Sequence, residues 1–126
     1  MLLDTCTFLW LALDSPELSD RAREIFTDPE NKILLSTVSV WEITLKYAMG
    51  RLPLPAKPEL YVPSRRKLLG VHSLALEEEA VLQLPRLSDL HRDPFDRMLI
   101  CQAIAHGMPI ITPDAQISRY PIRVIW

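Results

Sequence analysis

The sequence predicts an α/β domain in which helices cover both faces of a parallel sheet. Short apolar runs at residues 1–3, 33–35, 71–74, 110–112 and 122–125 alternate with longer segments of helical period, the pattern of strands joined by helical crossovers. The chain has 126 residues, 48% hydrophobic and 24% charged, enough to bury roughly two-thirds of its unfolded surface around one core. A single domain spanning residues 1–126 is therefore expected, with no internal repeat, low-complexity tract or heptad seam.

Taken in order, Met1-Leu2-Leu3 reads as the first strand and ends at Asp4. Ser19 before Asp20-Arg21-Ala22-Arg23-Glu24-Ile25-Phe26 is an N-cap followed by an amphipathic helix, which Asp28-Pro29-Glu30-Asn31 closes. After Ile33-Leu34-Leu35 and Ser36, a second helix runs over residues 37–49, with Val38, Trp41, Leu45 and Ala48 at helical spacing and Gly50 as its stop. Residues 52–63, broken by Pro53, Pro55, Pro58 and Pro63, read as an irregular link. Shorter helices at 64–69 and 76–84 then flank a strand near Val71. Asp93-Pro94-Phe95 begins the clearest helix of the chain: a capping Asp, a Pro at the first helical position, and a His106-Gly107 stop after Ala105. Of the tryptophans, Trp41 is expected in the core and Trp10 at an interface.

Fourteen Lys plus Arg against sixteen Asp plus Glu leave a formal charge of −2, so the long-range field does not attract an anionic polymer. A nucleic-acid partner would have to be held by a local patch or a bound cation. Cys6 and Cys101 are the two cysteines; both lie in apolar runs, where a thiol behaves as a small hydrophobe, and their number implies a reducing cytoplasm rather than a disulfide scaffold. No apolar run reaches the roughly 18 residues that cross a bilayer, and Asp4 interrupts the N-terminal run, so neither membrane nor secretion is expected. With three glycines and eleven prolines, no glycine-rich loop exists to wrap a phosphate, which excludes a P-loop or dinucleotide fingerprint.

The carboxylates carry the functional signal. Asp4 and Asp114 each follow an apolar run, and so emerge at the carboxyl edge of the sheet, where open α/β folds bind ligands. Thr112 places a hydroxyl two residues before Asp114. Glu42 lies roughly 60° from Leu45 and 40° from Val38 on a helical wheel, at the border of the apolar stripe. Asp96 shares its face with Leu99, Ile100 and Ala103, so its carboxylate points inward. Burying such charges unpaired would cost several kcal/mol. Each acid has an ordinary alternative: Asp4 as a turn or cap residue, Glu42 paired with Lys46, Asp96 paired with Arg92 or Arg97, Asp114 in a loop, and Asp93 as cap, outer ligand or both. Together they exceed the nearby cations, and the surplus asks for a divalent metal. Oxygen donors, with no His or Cys ligand of obvious spacing, favour Mg²⁺ or Mn²⁺ over zinc, a centre suited to phosphodiester hydrolysis. His72, His91 and His106 show no pairing with a nucleophile, which disfavours a Ser-His-Asp or Cys-His enzyme.

Leu2-Leu3-Asp4-Thr5, Ser36-Thr37-Val38-Ser39-Val40-Trp41-Glu42-Ile43, His91-Arg92-Asp93-Pro94-Phe95-Asp96-Arg97-Met98-Leu99-Ile100 and Ile111-Thr112-Pro113-Asp114, in that order over essentially the whole chain, resemble the PIN-domain ribonucleases. Within them they resemble the VapC-like toxins of type II toxin–antitoxin pairs. The resemblance implies a three-layer α/β/α sandwich around a parallel sheet. It also implies that Asp4, Glu42, Asp96 and Asp114 form an acidic quartet that holds one or two Mg²⁺ or Mn²⁺ ions and activates water. Thr112 would be its hydroxyl neighbour, with Asp93 and Arg97 orienting the ligands from outside. The implied activity is endoribonucleolytic cleavage of RNA. The implied partners are a cognate antitoxin laid across the active-site groove and a second copy of the chain in a homodimer.

Arg65-Arg66-Lys67 reads as a solvated helix face, with Lys46 and Arg51 as alternative RNA contacts. Two other functions remain open from the residues: a catalytically silent interaction module of the same fold, and an aspartate-based phosphotransfer domain with Asp4 as nucleophile. The second lacks an Asp two residues after Asp4.

Overall fold

The computed structural model describes residues 1–126 and contains one five-stranded sheet, parallel throughout. The strands β1 (Leu2–Leu3), β2 (Leu34–Ser36), β3 (His72–Leu74), β4 (Ile110–Ile111) and β5 (Val124–Ile125) lie in the order β3-β2-β1-β4-β5. Leu2 is registered with Leu34 on one side and Ile110 on the other. The crossovers are α1 (Thr5–Ala12), α2 (Asp20–Thr27), α3 (Thr37–Ala48), α4 (Pro58–Leu68), α5 (Glu78–Val81) and α6 (Pro94–His106). No helix is long and apolar enough to cross a membrane.

The period of two along each strand divides the interior into two cores. Leu3, Leu35, Ile111 and Ile125 pack with Phe8 of α1, Ala22 and Ile25 of α2, Ile43 of α3 and Val62 of α4. Leu2, Leu34 and Ile110 pack on the other face with Phe95, Leu99, Ile100 and Ala103 of α6. Three layers result, helices over sheet over helices. Each buried Leu, Ile or Phe contributes ~1.5–3 kcal/mol, so the short strands are held by their side chains as much as by their few ladder bonds.

The Ser19 cap of α2, the Asp93 cap of α6 and the left-handed Gly107 that ends α6 lie where the sequence places them. Elsewhere packing overrides local signals. The expected link at 52–63 is irregular only to Lys57, because α4 starts with Pro58 and carries Pro63 inside it. An interior Pro costs about 3 kcal/mol in a helix, and here the burial of Tyr61 and Val62 offsets it. The helix expected at 76–84 shortens to α5 plus a 3₁₀ turn at Leu84–Arg86. Helix α1 carries no sequence period to reveal it, since Thr-Cys-Thr-Phe-Leu-Trp-Leu-Ala is almost uniformly apolar.

The inward face of α3 also differs from expectation. Val38, Ser39, Glu42 and Ile43 are buried, whereas Trp41 is 57% exposed and Leu45 40% exposed. Trp41 is not a core residue; its ring meets Phe95 edge-on, centroids 4.7 Å apart. Trp10 is half-buried against Trp126 of the same chain, centroids 5.9 Å apart. Cys101 is buried, but Cys6 is exposed rather than a core hydrophobe.

Candidate metal centre

From the central β1 the chain passes to β2 on one side, while β4 flanks it on the other, so the crevice of this sheet opens at the carboxyl ends of β1 and β4. Asp4 and Asp114 both follow those ends. Asp4 is buried, 4% exposed, and both its oxygens are engaged. Oδ1 accepts from the Thr7 amide at 2.8 Å, which caps α1, and Oδ2 accepts from Thr112 Oγ1 at 2.5 Å. The same Thr112 oxygen accepts the Asp114 amide at 3.0 Å. One hydroxyl thus ties the two strand-end acids together, and the Asp114 side chain is left partly exposed at the rim.

Asp96 stands in the first turn of α6, its amide donating to Asp93 Oδ1 at 3.0 Å. Asp93 also accepts the Phe95 amide at 2.9 Å, so it serves as the helix cap. The Asp96 carboxylate pairs with His91 rather than Arg92 or Arg97, Oδ2 lying 2.8 Å from Nε2. Its pKa is pushed up to about 6: burial raises it, the His91 hydrogen bond opposes, and the charges of Asp93, Glu42 and Asp4 raise it further. Asp4 is raised as well, chiefly by burial, against the bonds from Thr112 and Thr7 and with a contribution from Asp114.

Glu42 is buried, 6% exposed, on the inward face of α3. It accepts from Thr5 Oγ1 at 2.6 Å and forms an ion pair with Lys46 one turn on. Burial lowers the Lys46 pKa, but the bond to Glu42 and the charges of Glu42, Asp93 and Asp96 overcome this and hold it above its usual range. The Cys6 thiol registers the convergence of the acids. Partial desolvation and then the charges of Asp4, Asp114, Asp96 and Glu42 push it up to about 12, so it stays protonated and a poor nucleophile at neutral pH.

His91, Asp96 and Asp114 come closest to one another: one potential ligand atom from each lies within 4.8 Å of the others. Asp4 joins this group through Thr112, and Glu42 faces the same rim through Thr5 but with its charge balanced by Lys46. His91 is the residue that the sequence did not single out as a ligand. It lies in a loop five positions before Asp96, where no period or spacing rule applies. Tyr120 was also missed; its Oη accepts the amides of Leu90 at 3.1 Å and His91 at 2.9 Å and donates to the Ser88 carbonyl at 2.8 Å. Arg97 reaches no acid of the quartet. Its Nη1 donates to the carbonyls of Ser88 at 3.0 Å and His91 at 3.2 Å, and so holds the loop that carries His91.

The donor set fits a small divalent cation. Carboxylate oxygens outnumber the local positive charges, the donors at the rim are partly exposed, and burial together with the charges of Asp93, Glu42 and Asp4 already raises Asp96. A hard cation with oxygen ligands and retained waters relieves the repulsion among those charges.

A profile of the PIN domain matches residues 1–122. Ribonuclease VapC16 of Mycobacterium tuberculosis (strain ATCC 25618 / H37Rv) is 40% identical over 58 residues, covering 46% of this chain and 41% of that protein. The matched stretch therefore spans less than half of the curated relative. Among solved structures, VapBC from Salmonella typhimurium bound to DNA superposes with a TM-score of 0.70 at 19% identity, covering 98% of this chain and 95% of that one. VapBC2 from Rickettsia felis, bound to a DNA fragment from its promoter, gives 0.69 at 14% identity, with 98% and 96% covered. FitAcB from Neisseria gonorrhoeae gives 0.69 at 19% identity, with 99% and 96% covered. At these identities the solved structures establish a shared fold.

Proposed function

Because the chain belongs to the PIN-domain family, we propose that it is a metal-dependent endoribonuclease acting as the toxin of a type II toxin–antitoxin pair. The observation that carries this is the convergence of Asp96, Asp114 and His91 on one edge of the sheet, with Asp4 a single hydroxyl away. Asp4, Asp96 and Asp114 hold Mg²⁺ or Mn²⁺ in this reading, with Glu42 as the fourth acid. A cation held by these residues would supply polarisation of the phosphoryl oxygen, a lowered pKa for water and charge compensation in the in-line transition state.

The protein's own groups prepare that site. Thr112 fixes the rotation of the Asp4 carboxylate, Asp93 holds the first turn of α6 and with it Asp96, and Thr5 and Lys46 hold Glu42 in place. Lys46 is part-exposed at the rim and is the cation best placed to meet a phosphate. The formal charge of −2 leaves little long-range steering, so RNA selection rests on shape and on local phosphate contacts. Asp4 is poorly suited to attack phosphorus in a phosphotransfer reaction, since both its oxygens already accept hydrogen bonds.

A cognate antitoxin belongs to the proposal, supported by the likeness to VapBC assemblies, as do a homodimer, a single catalytic domain over residues 1–126 and a cytoplasmic site of action. Labelled RNA incubated with purified protein and Mn²⁺ tests the activity, with Asp4→Ala and Asp96→Ala alongside. Cleavage by the wild type that both substitutions abolish supports the reading. Cleavage that survives either substitution overturns the site, and no cleavage with any RNA or ion leaves an interaction module as the better description.

A further inference from the structure

We infer that His91 is a direct nitrogen ligand of the centre and biases it toward Mn²⁺ over Mg²⁺. This rests on the metal-centre reading above and goes beyond its all-oxygen form.

The His91–Asp96 pair has the spacing of neighbouring ligands, with Asp114 close by. Two adjacent donors around a six-coordinate ion of this size, each about 2.1 Å from it, stand roughly 3 Å apart. His91 Nε2 and Asp96 Oδ2 are 2.8 Å apart, and an Asp114 oxygen completes a triangle within 4.8 Å. The imidazole is also pre-positioned, its side chain only 17% exposed. Tyr120 Oη holds the His91 amide at 2.9 Å and Arg97 holds its carbonyl at 3.2 Å, so both backbone polar groups of this loop residue are fixed by side chains from other elements. A loop residue whose only task was to neutralise Asp96 would need no such fixing, since a flexible Lys or Arg would serve. The other histidines are remote from the rim: His72 begins β3 and His106 ends α6, both on the amino-edge side of the sheet.

Chemistry then sets the preference. Mg²⁺ is hard, takes oxygen and gives up its waters reluctantly, whereas imidazole nitrogen suits first-row transition-metal ions. A single nitrogen among carboxylates therefore shifts the ratio of affinities without excluding either ion.

Calorimetric titration of the wild type and His91→Gln with Mn²⁺ and with Mg²⁺ measures that ratio. Gln keeps a hydrogen-bonding group near Asp96 but offers no imidazole. The expected result is a loss of Mn²⁺ affinity of roughly tenfold or more with a change of less than about threefold for Mg²⁺. Pulsed electron paramagnetic resonance of the Mn²⁺-loaded wild type, with and without ¹⁵N-labelled histidine, supplies a readout independent of catalysis and of the variant's folding. It should show a nitrogen coupling that changes on labelling. Mn²⁺ bound without histidine coupling, or a coupling that persists in His91→Gln, overturns the inference and leaves the metal centre intact. Failure of the wild type to bind either ion overturns the metal-centre reading itself, and the inference with it.

Discussion

Thr112 and Asp4, 108 positions apart in the chain, share a hydrogen bond of 2.5 Å that joins the ends of two neighbouring strands. The hydroxyl also accepts the Asp114 amide, so its removal disturbs two acids at once. Thr112→Val should cost about 1–3 kcal/mol, because a buried carboxylate loses its donor. It should raise the Asp4 pKa further, since the Thr112 bond holds it down, and lower metal affinity roughly ten- to a hundredfold. Thr112→Ser should restore most of both. Urea unfolding and Mn²⁺ titration of the two variants check this.

Asp96 sets a pH dependence with a definite sign. Its folded pKa, about 6, lies above the ordinary aspartate value of 3.8, so the native state binds the proton more tightly than the unfolded chain. The contribution is most favourable below pH ~4 and is lost as pH rises through ~6, leaving a penalty on the order of 2 kcal/mol at pH 7 to 8. Without metal, Asp96→Asn should therefore stabilise the protein by about that amount at pH 8 and by little at pH 4. Denaturant melts in a chelator at the two pH values measure it, and a destabilised variant at pH 8 would contradict the assignment.

Metal should repay that penalty. At a concentration ten times its dissociation constant, an ion that binds only the native state adds about 1.4 kcal/mol, or a rise in Tm of several degrees for a domain of this size. Mn²⁺ should give this shift in the wild type, and Asp96→Asn combined with Asp114→Asn should abolish it. An identical shift in the double variant would place the ion elsewhere.

Tyr120 and Arg97 act on the loop that carries His91. Tyr120→Phe removes the acceptor of two amides and should cost about 1–2 kcal/mol. It should also speed hydrogen exchange at Leu90 and His91 while sparing the centre of α6. Arg97→Ala should speed exchange at the same amides, because it removes the one nitrogen, Nη1, that donates to both the Ser88 and His91 carbonyls.

Trp41 offers a test of the inward face of α3. A core Trp costs about 3–5 kcal/mol when cut to Ala. At 57% exposure, with one edge-on contact to Phe95, Trp41→Ala should cost less than about 2 kcal/mol. Chemical denaturation at low protein concentration distinguishes the two, and a loss above 3 kcal/mol would mean that the exposed face is covered in solution.

The sequence by itself determined the layered α/β arrangement, the caps at Ser19 and Asp93, the Gly107 stop and the placement of Asp4 and Asp114 after strands. All of these follow from short-range rules: which residues cap a helix, how apolar groups alternate, where a strand must end. The tertiary structure alone decided that Trp41 faces outward, that Pro63 sits inside a helix, and that His91 meets Asp96 and Asp114. The physical reason is range. A helix chooses its buried face by the packing partners that other elements bring, and a loop histidine becomes a potential ligand only when a tyrosine from a turn 29 positions away and an arginine from α6 fix its backbone beside two acids.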